Sequence, residues 1–195
     1  MHARTLPSLE ADLGDGRLLR QLEDADSAEL FTLIDINRAH LANWMPFVGQ
    51  TRTEADSLAF IRAARRQFEE HRGVQLAIVR DSRIIGVAGF HGIDWVRRST
   101  SIGYWLAAAQ QGTGTMTATV CAMLDHAFES WTLARVEIRA GVTNERSRAI
   151  PERLGFQQEG VLHAAERIGT RVIDHVVYVM TSREWQRLSA ERSLG

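Results

Sequence analysis

The sequence predicts an α/β (α+β) fold, in which helices flank a mixed and mostly antiparallel sheet. Between residues 75 and 106, three short apolar segments follow one another with only turn residues between them, as in an antiparallel meander. From residue 114 to residue 180, helical and extended patterns alternate, which places more strands in the same sheet. The chain has 195 residues, of which 45% are hydrophobic, and this is enough for one domain with its own core.

The N-terminal part is expected to begin with an extension, because residues 1–15 are polar and show no periodic pattern. A single domain over residues 16–190 then starts with an alternating strand at 17–22. A helix over about 24–42 follows, and the aspartates at its start are candidate N-caps.

An apolar loop at 44–47 should separate this helix from the next, because its proline disfavours helix at the preceding residue. Thr51 with Glu54 resembles a capping box and predicts a helix over 54–71. Gly73 suits the end of that helix.

The rest of the chain alternates between strands and helices. The strands are expected at 75–80, 83–93, 100–106, 135–140, 156–159 and 171–180, and the helices at 114–130 and 145–154. The second of these helices should end at Gly155, a favourable residue just after a helix. Ligands of such sheets bind where the order of the strands changes.

Composition and charge exclude several partner classes. The formal net charge is -1, so no overall field attracts nucleic acid, and no direct nucleic-acid partner is expected. No apolar run approaches the ~20 residues of a membrane span. The single cysteine, Cys121, rules out an intrachain disulfide and fits a cytoplasmic protein, and it is read as a small buried hydrophobe. The seven histidines show no metal-binding pattern, so no metal is expected.

The loop before the predicted helix at 114–130 is a candidate anion site. Its residues are Gln111, Gly112, Thr113, Gly114, Thr115 and Met116. Glycines let the backbone approach an anion, and a helix that begins there directs its unpaired N–H groups and the positive end of its dipole at the same point. A plain turn would have the same residues. The Gly-Lys-Ser/Thr of a P-loop is absent, and the dinucleotide pattern fits poorly.

A second candidate segment begins at Asn144, between a predicted strand and a predicted helix. Asn144 is a good N-cap, and its amide is equally able to bond an amide-bearing ligand along the sheet edge. Ser147, one turn into the helix, either caps it or faces the same ligand. Pro151 in the middle of the helix is unusual because it removes a backbone hydrogen bond.

In these segments and several others, the chain resembles the GNAT superfamily of acyl-CoA N-acyltransferases. Within that superfamily it resembles the Rim-type branch of ribosomal-protein N-terminal acetyltransferases. The likeness covers about residues 17–188, with its motifs in the order that the family has. The matching segments are Asn37-Arg38-Ala39-His40-Leu41, Trp44-Met45-Pro46-Phe47, Ile102-Gly103-Tyr104-Trp105-Leu106, Gln111 to Thr117, Asn144 to Phe156, Glu159-Gly160, Asp174 to Tyr178 and Glu184-Trp185.

The resemblance implies a GNAT fold, whose sheet is splayed, with acetyl-CoA as co-substrate in the opening. The amides of Gln111–Met116 would hold the pyrophosphate, although Met116 stands where the family usually has Gly or Ala. The strand edge formed by Tyr104, Trp105, Leu106 and Ala107 would bond the pantetheine like an added strand. Asn144 would bond the pantetheine arm.

The resemblance also implies two catalytic side chains. Ser147 would protonate the departing thiol, and Glu166 would deprotonate the acceptor amine, which must be neutral to attack. An N–H near Leu106 would face the negative charge on the thioester oxygen. Many relatives have a tyrosine acid near the position of Pro151, and the branch often has a glutamate where this chain has 99–101, Ser-Thr-Ser. Glu166 is otherwise read as a solvated residue on a surface loop.

Four residues are candidates for the acceptor side of the site. Asn37, His40 and Trp44 lie in the segment that lines the acceptor entrance in relatives, and His91 on the second meander strand would face the cleft, as a proton relay or as a bonded structural histidine.

The function that follows is acetyl transfer from acetyl-CoA to a primary amine by direct attack in a ternary complex. The acceptor is open between a protein N-terminal α-amine and a small molecule such as an amino acid, a polyamine or an aminoglycoside. A catalytically silent acyl-CoA-binding module is the alternative. Exposed apolar residues are compatible with a homodimer.

Overall fold

The computed structural model describes residues 7–193, which form one eight-stranded sheet with helices on both faces. The strands are β1 Ala11–Gly14, β2 Arg17–Gln21, β3 Gly73–Arg80, β4 Arg83–Asp94, β5 Ser99–Leu106, β6 Arg135–Gly141, β7 Gln157–Ile168 and β8 Arg171–Thr181. The helices are α1 Ser27–Ile36, α2 Arg38–Leu41, α3 Glu54–Glu69, α4 Thr115–Asp125, α5 Glu145–Leu154 and α6 Ser182–Ser193. A π-helical turn, His126–Ser130, continues α4.

The strand order in the sheet is β1-β2-β3-β4-β5-β6-β8-β7, and every neighbouring pair is antiparallel except β5 with β6. The parallel pair is short: it runs from Ser99 opposite Arg135 to Ile102 opposite Ile138. Beyond it, β5 pairs only with β4, and β6 pairs only with β8. The sheet is therefore splayed open between the ends of β5 and β6, as the resemblance implied.

Each face of the sheet buries its own apolar cluster. On one face α4 packs Val120, Met123 and Leu124 against strand residues such as Phe90 and Ile138. On the other face, Leu30 and Ile34 of α1 and Ile61 of α3 pack on strand residues such as Ala77 and Trp105. Burying large aliphatic side chains stabilises each layer by about 1.5–3 kcal/mol per side chain.

A polar contact fixes α5 to the sheet. The Arg148 Nε donates to the Tyr178 hydroxyl at 2.9 Å, and this hydroxyl donates to the Glu152 carboxylate. Arg148 also donates to the Val142 carbonyl at 2.8 Å. The helix ends as expected at Gly155, which has φ +85°. Its N-terminus is thereby held over the splayed part of the sheet.

Most predicted elements are confirmed, but several details were wrong. The helix expected over about 24–42 is interrupted at Asn37, and Gly73, expected at the end of α3, begins β3. The expected extension contains β1, which pairs with β2; residues 1–6 lie outside the described residues. The capping box of α3 is formed by Thr53 and Asp56, not by Thr51 and Glu54, because the N-cap is Thr53, the residue directly before the helix. The polar helix α6 was not foreseen.

A further correction concerns the C-terminal hairpin. A short strand was expected at 156–159, followed by a loop that contained Glu166, but β7 runs without a break to Ile168. Nearly all of its side chains are exposed, so no alternation of apolar and polar residues marks it in the sequence. Among the described residues, no helix is long and apolar enough to span a membrane.

Tyr178→Phe should destabilise the protein by about 1–2 kcal/mol, because it removes the hydroxyl that joins Arg148 to Glu152. Urea unfolding measures this as a lower midpoint at an unchanged slope. Glu159→Gln is the control, since its ion pair with Arg135 is exposed and should change the midpoint little. An equal loss in both variants would contradict the anchoring role of Tyr178.

Candidate active site

The splayed end of the sheet opens into a cleft of about 610 Å³. Its floor consists of residues from β3, β4 and β5, one wall comes from α1, α3 and the loop between α2 and α3, and the other from β6, β8 and α5. The cleft brings together seven of the residues singled out in the sequence: Trp44, His91, Tyr104, Trp105, Asn144, Ser147 and Glu166. Volume and mixed lining are typical of small-molecule sites.

The loop before α4 has the backbone of an anion site. Gly112 has φ +75° and Gly114 has φ +77°, and a Cβ at either position would meet open space. Among the described residues, no acceptor is found for the backbone N–H groups from Gly112 to Thr117. The Thr113 hydroxyl donates a hydrogen bond to the Gln110 carbonyl at 2.9 Å. The loop therefore offers amides rather than side chains to a ligand.

The end of β5 agrees only in part with the predicted pantetheine edge. Tyr104 and Trp105 line the cleft, whereas Leu106 and Ala107 do not. The Ala107 N–H already donates to the Ile85 carbonyl at 2.9 Å. The β6-facing edge of Gly103–Leu106 has no neighbouring strand, so it can accept a ligand as an added strand.

Asn37, between α1 and α2, and His40, on α2, lie outside the cleft and contact the anion loop and the residues just before it. Asn37 Nδ2 donates to the Leu33 carbonyl at 2.9 Å, and its Oδ1 accepts from the Ala108 N–H at 2.9 Å. His40 Nε2 lies 2.8 Å from Gln111 Nε2. Neither side chain is among those that line the cleft, so their predicted contact with the acceptor receives no support here.

Gln111 connects the two sides of the splay. Its amide nitrogen faces His40 on α2, and its amide oxygen accepts a hydrogen bond from the Arg146 guanidinium on α5. Since Gln111 has a hydrogen to donate, His40 Nε2 is the acceptor, and the His40 proton resides on Nδ1. This chain of hydrogen bonds holds the anion loop close to the start of α5.

Asn144 and Ser147 stand where α5 begins. The Asn144 Oδ1 accepts from the Ser147 N–H at 3.2 Å, so Asn144 is an N-cap. Within residues 7–193, the Asn144 Nδ2 and the Ser147 Oγ have no hydrogen-bond partner, and both residues line the cleft. The Tyr104 hydroxyl donates to the Ser147 carbonyl at 3.0 Å across the splay. Burial raises the pKa of Tyr104, so the phenol stays protonated and remains a donor.

Glu166 reaches the cleft because of an irregularity in β7. The pairing with β8 shifts between Leu162 and Glu166, where Ala164 has φ +51°. Asp174 fixes this bulge: its Oδ1 accepts from the Ala164 N–H at 2.8 Å, and its Oδ2 lies 2.8 Å from His163 Nδ1. These two contacts, the backbone one first, hold the pKa of Asp174 below its usual value.

His175 is a cleft residue that sequence reasoning missed. Its Nε2 lies 3.4 Å from Glu166 Oε2, and its side chain is only 14% exposed. It follows Asp174 on β8 and faces the cleft together with Ile173, two residues earlier. The alternation in β8 was the only available signal, because the contact with Glu166 depends on the bulge.

His91 rests on the floor of the cleft against a glycine. A Cβ at Gly103 would lie 2.9 Å from His91 Nε2, so only glycine leaves room for the ring. His91 Nδ1 lies 3.3 Å from Gln75 Nε2. Solvent reaches the ring through the cleft, but protein atoms crowd its other sides, and this burial lowers the pKa of His91.

Trp44 forms part of the opposite wall and lies over the end of β6. Its indole would contact a Cβ at Gly141 at 3.1 Å, which explains the glycine at this position. Phe47, from the same loop, packs near Trp105 with ring centroids 6.1 Å apart. Trp44 and Phe47 thus serve both the cleft and the apolar packing beneath it.

Comparison with known proteins agrees with this geometry. Residues 17–157 match the family model described as an acetyltransferase (GNAT) domain. The chain is 35% identical over 170 residues to the putative ribosomal N-acetyltransferase YdaF of Bacillus subtilis (strain 168), which covers 86% of this chain and 92% of the relative. It is 29% identical over 152 residues to the ribosomal-protein-serine acetyltransferase of Escherichia coli (strain K12), covering 76% and 83% of the two chains.

A solved structure shows the same fold with a cofactor bound. The microcin C7 self-immunity acetyltransferase MccE, in complex with acetyl-CoA and AMP, superimposes with a TM-score of 0.85 at 28% identity. The match covers 91% of this chain and 98% of that one.

Gly114→Glu should weaken CoA binding by about 100-fold or more, because a carboxylate would face the bound diphosphate at the start of α4. Isothermal titration with CoA measures the change. Gly169→Glu is the matched control, since Gly169 also has a positive φ, +60°, and open space around a Cβ, but lies in the β7–β8 turn. Equal affinity in the two variants would remove the loop from the cofactor site.

Proposed function

We propose that this chain, which belongs to the acetyltransferase (GNAT) domain family and is an N-acetyltransferase, acetylates the N-terminal α-amine of a protein. In the proposed reaction the amine attacks acetyl-CoA directly. The observation that carries the proposal is the splay between β5 and β6, which joins an amide-lined anion loop to a cleft that contains both a hydroxyl and a carboxylate.

The cofactor would lie along the open edge of β5. The diphosphate would accept hydrogen bonds from the unpaired amides of Gly112–Thr117, where the positive end of the α4 dipole adds to the attraction. The pantetheine amides would pair with the edge of Gly103–Leu106, and the Asn144 Nδ2 would donate to a pantetheine carbonyl. This route ends in the cleft, beside Ser147.

Two negative charges must be stabilised or neutralised during acyl transfer, one on the thioester oxygen and one on the departing sulfur. The thioester oxygen becomes negative when the amine attacks, and a backbone N–H near Leu106 would stabilise it. The departing CoA thiolate then needs a proton, and the attacking nitrogen must lose one to become the amide. The Ser147 hydroxyl would donate its proton to the thiolate and regain one from that nitrogen. Direct attack is favoured over an acetyl-enzyme because Cys121 lies on α4, packed against the apolar cluster and away from the cleft.

The acceptor amine would enter from the side of Trp44 and Glu166. An α-amine with a pKa near 8 is mostly protonated at neutral pH, so a base that removes its proton increases the reactive fraction. Glu166 lines the cleft and is the proposed base. A protein N-terminus as acceptor is supported by the names of two relatives, which are described as ribosomal or ribosomal-protein acetyltransferases.

The test is release of free thiol from acetyl-CoA with a panel of acceptors: peptides with different N-termini, free amino acids, polyamines and aminoglycosides. Release that depends on peptides with a free α-amine, and is lost when that amine is blocked, supports the proposal. Release only with small molecules would move the acceptor to that class. CoA binding without release to any acceptor would favour a silent binding module.

Ser147→Ala should lower kcat by about tenfold or more while acetyl-CoA still binds. A full general acid contributes 10²–10⁴, but a thiol with a pKa near 8.5 is already a fair leaving group, so the loss should lie at the low end. Ser147→Thr retains a hydroxyl and should retain most of the activity. If alanine and threonine behave alike, the hydroxyl does not serve the thiol.

Glu166→Gln should lower kcat at neutral pH, with a loss that shrinks as the pH rises. Above the pKa of the acceptor amine most of it is already neutral, and the base is no longer needed. A pH–rate profile of both proteins from pH 6 to pH 10 measures this. A constant ratio across the range would exclude Glu166 as the base.

A further inference from the structure

We propose that His175 is a positioning residue that completes the base and holds the proton that Glu166 removes from the acceptor amine. The two side chains approach to 3.4 Å, Glu166 Oε2 to His175 Nε2, inside the cleft. Both side chains line the cleft, and Glu166 is the more exposed of the two, at 33% against 14% for His175. This inference rests on the proposed transfer to an amine.

A carboxylate alone is a poor resting place for this proton. Moving a proton from an α-ammonium with a pKa near 8 to a carboxylate with a pKa near 4.3 is unfavourable by a factor of roughly 5,000. Moving it to an imidazole with a pKa near 6.5 is unfavourable by a factor of only about 30. An imidazole within reach of the carboxylate is therefore a better acceptor for this proton than the carboxylate alone.

The step balances as a simple proton transfer. The ammonium N–H bond of the acceptor breaks, a carboxylate oxygen of Glu166 takes the proton, and Nε2 of His175 receives it. The positive charge thus moves from the acceptor to the imidazole, and the amine lone pair becomes available for attack. After the product leaves, the imidazolium returns its proton to solvent through the same carboxylate.

The other charged groups near the pair are Arg139 and Asp174. Arg139, from β6, lines the cleft, but its guanidinium is paired with Glu137. Asp174, from β8, is engaged by His163 and by the Ala164 N–H. Gly141 on β6 pairs with His175, and the Trp44 indole lies over Gly141. Asp174 and Glu166 thus both act on His175, but of these two carboxylates Glu166 is the one that lies 3.4 Å from Nε2 and lines the cleft.

The first experiment measures the electrostatic coupling between Glu166 and His175 in the absence of turnover. The imidazole of His175 is titrated by NMR in the full-length protein and in Glu166→Gln. If the carboxylate and the imidazole are coupled, the midpoint of His175 falls by at least about half a pH unit in the variant. His71, which lies outside the cleft, should not move. An unchanged His175 midpoint would overturn the proposal.

The second experiment is kinetic. His175→Gln should lower kcat at pH 7 by about tenfold or more, with a loss that shrinks above the pKa of the acceptor amine, while affinity for CoA is unchanged. The loss should also shrink for acceptor peptides whose α-amine has a lower pKa. His71→Asn, which removes an imidazole elsewhere, should keep the profile of the unmodified chain.

The outcomes separate this proposal from the proposed function. If His175→Gln loses activity by the same factor at every pH, or loses none, His175 is only structural and the proposal fails while the transferase stands. If the unmodified chain releases no thiol with any acceptor, the proposed function fails, and the proton-holding role of His175 fails with it, whatever the NMR coupling.

Discussion

The architecture of the site depends on the early end of the pairing between β5 and β6. After Ile102 and Ile138, the facing strand edges keep unpaired backbone groups, which would be costly if they were buried without partners. Side chains hold the opening instead of sheet hydrogen bonds. The Tyr104 hydroxyl reaches the Ser147 carbonyl, and Gln111 joins His40 to Arg146. The edge is thus kept available to a ligand that can supply the missing strand.

Glycines make the floor and wall of the cleft possible. Gly103 leaves room for the His91 ring and Gly141 for the Trp44 indole, and a Cβ at Gly89 would lie 2.2 Å from the Gln75 side-chain oxygen. In each case a larger side chain occupies the space that a Cβ on the glycine would need. The result is a cleft whose polar groups are set among apolar walls, a setting in which hydrogen bonds and charges act more strongly than in water.

The sequence was informative wherever a residue's role is local. The glycines before α4, the N-cap Asn144 and Gly155 at the end of α5 were all predictable, because turn and cap chemistry depends on near neighbours. Prediction failed where the role depends on tertiary contacts. Strand β7 is exposed along its length and α6 is polar, so neither shows an apolar pattern. Asn37 and His40 contact the anion loop and the residues just before it, 71 positions away in the chain, which no local pattern reveals.

The contact between Glu166 and His175 follows from one irregularity in the C-terminal hairpin. Leu162 pairs with His175 and Glu166 with Ile173, so β7 uses four positions where β8 uses two. In a regular hairpin, Ala164 would pair with Ile173 and Glu166 with Arg171, about 7 Å further from His175 along the strand. Because the number of extra residues is even, Glu166 stays on the face of the sheet that lines the cleft. Asp174 stabilises the bulge by accepting a hydrogen bond from the Ala164 N–H. It is also the residue directly before His175, so the bulge that places Glu166 near the imidazole is held by the imidazole's own neighbour in the chain.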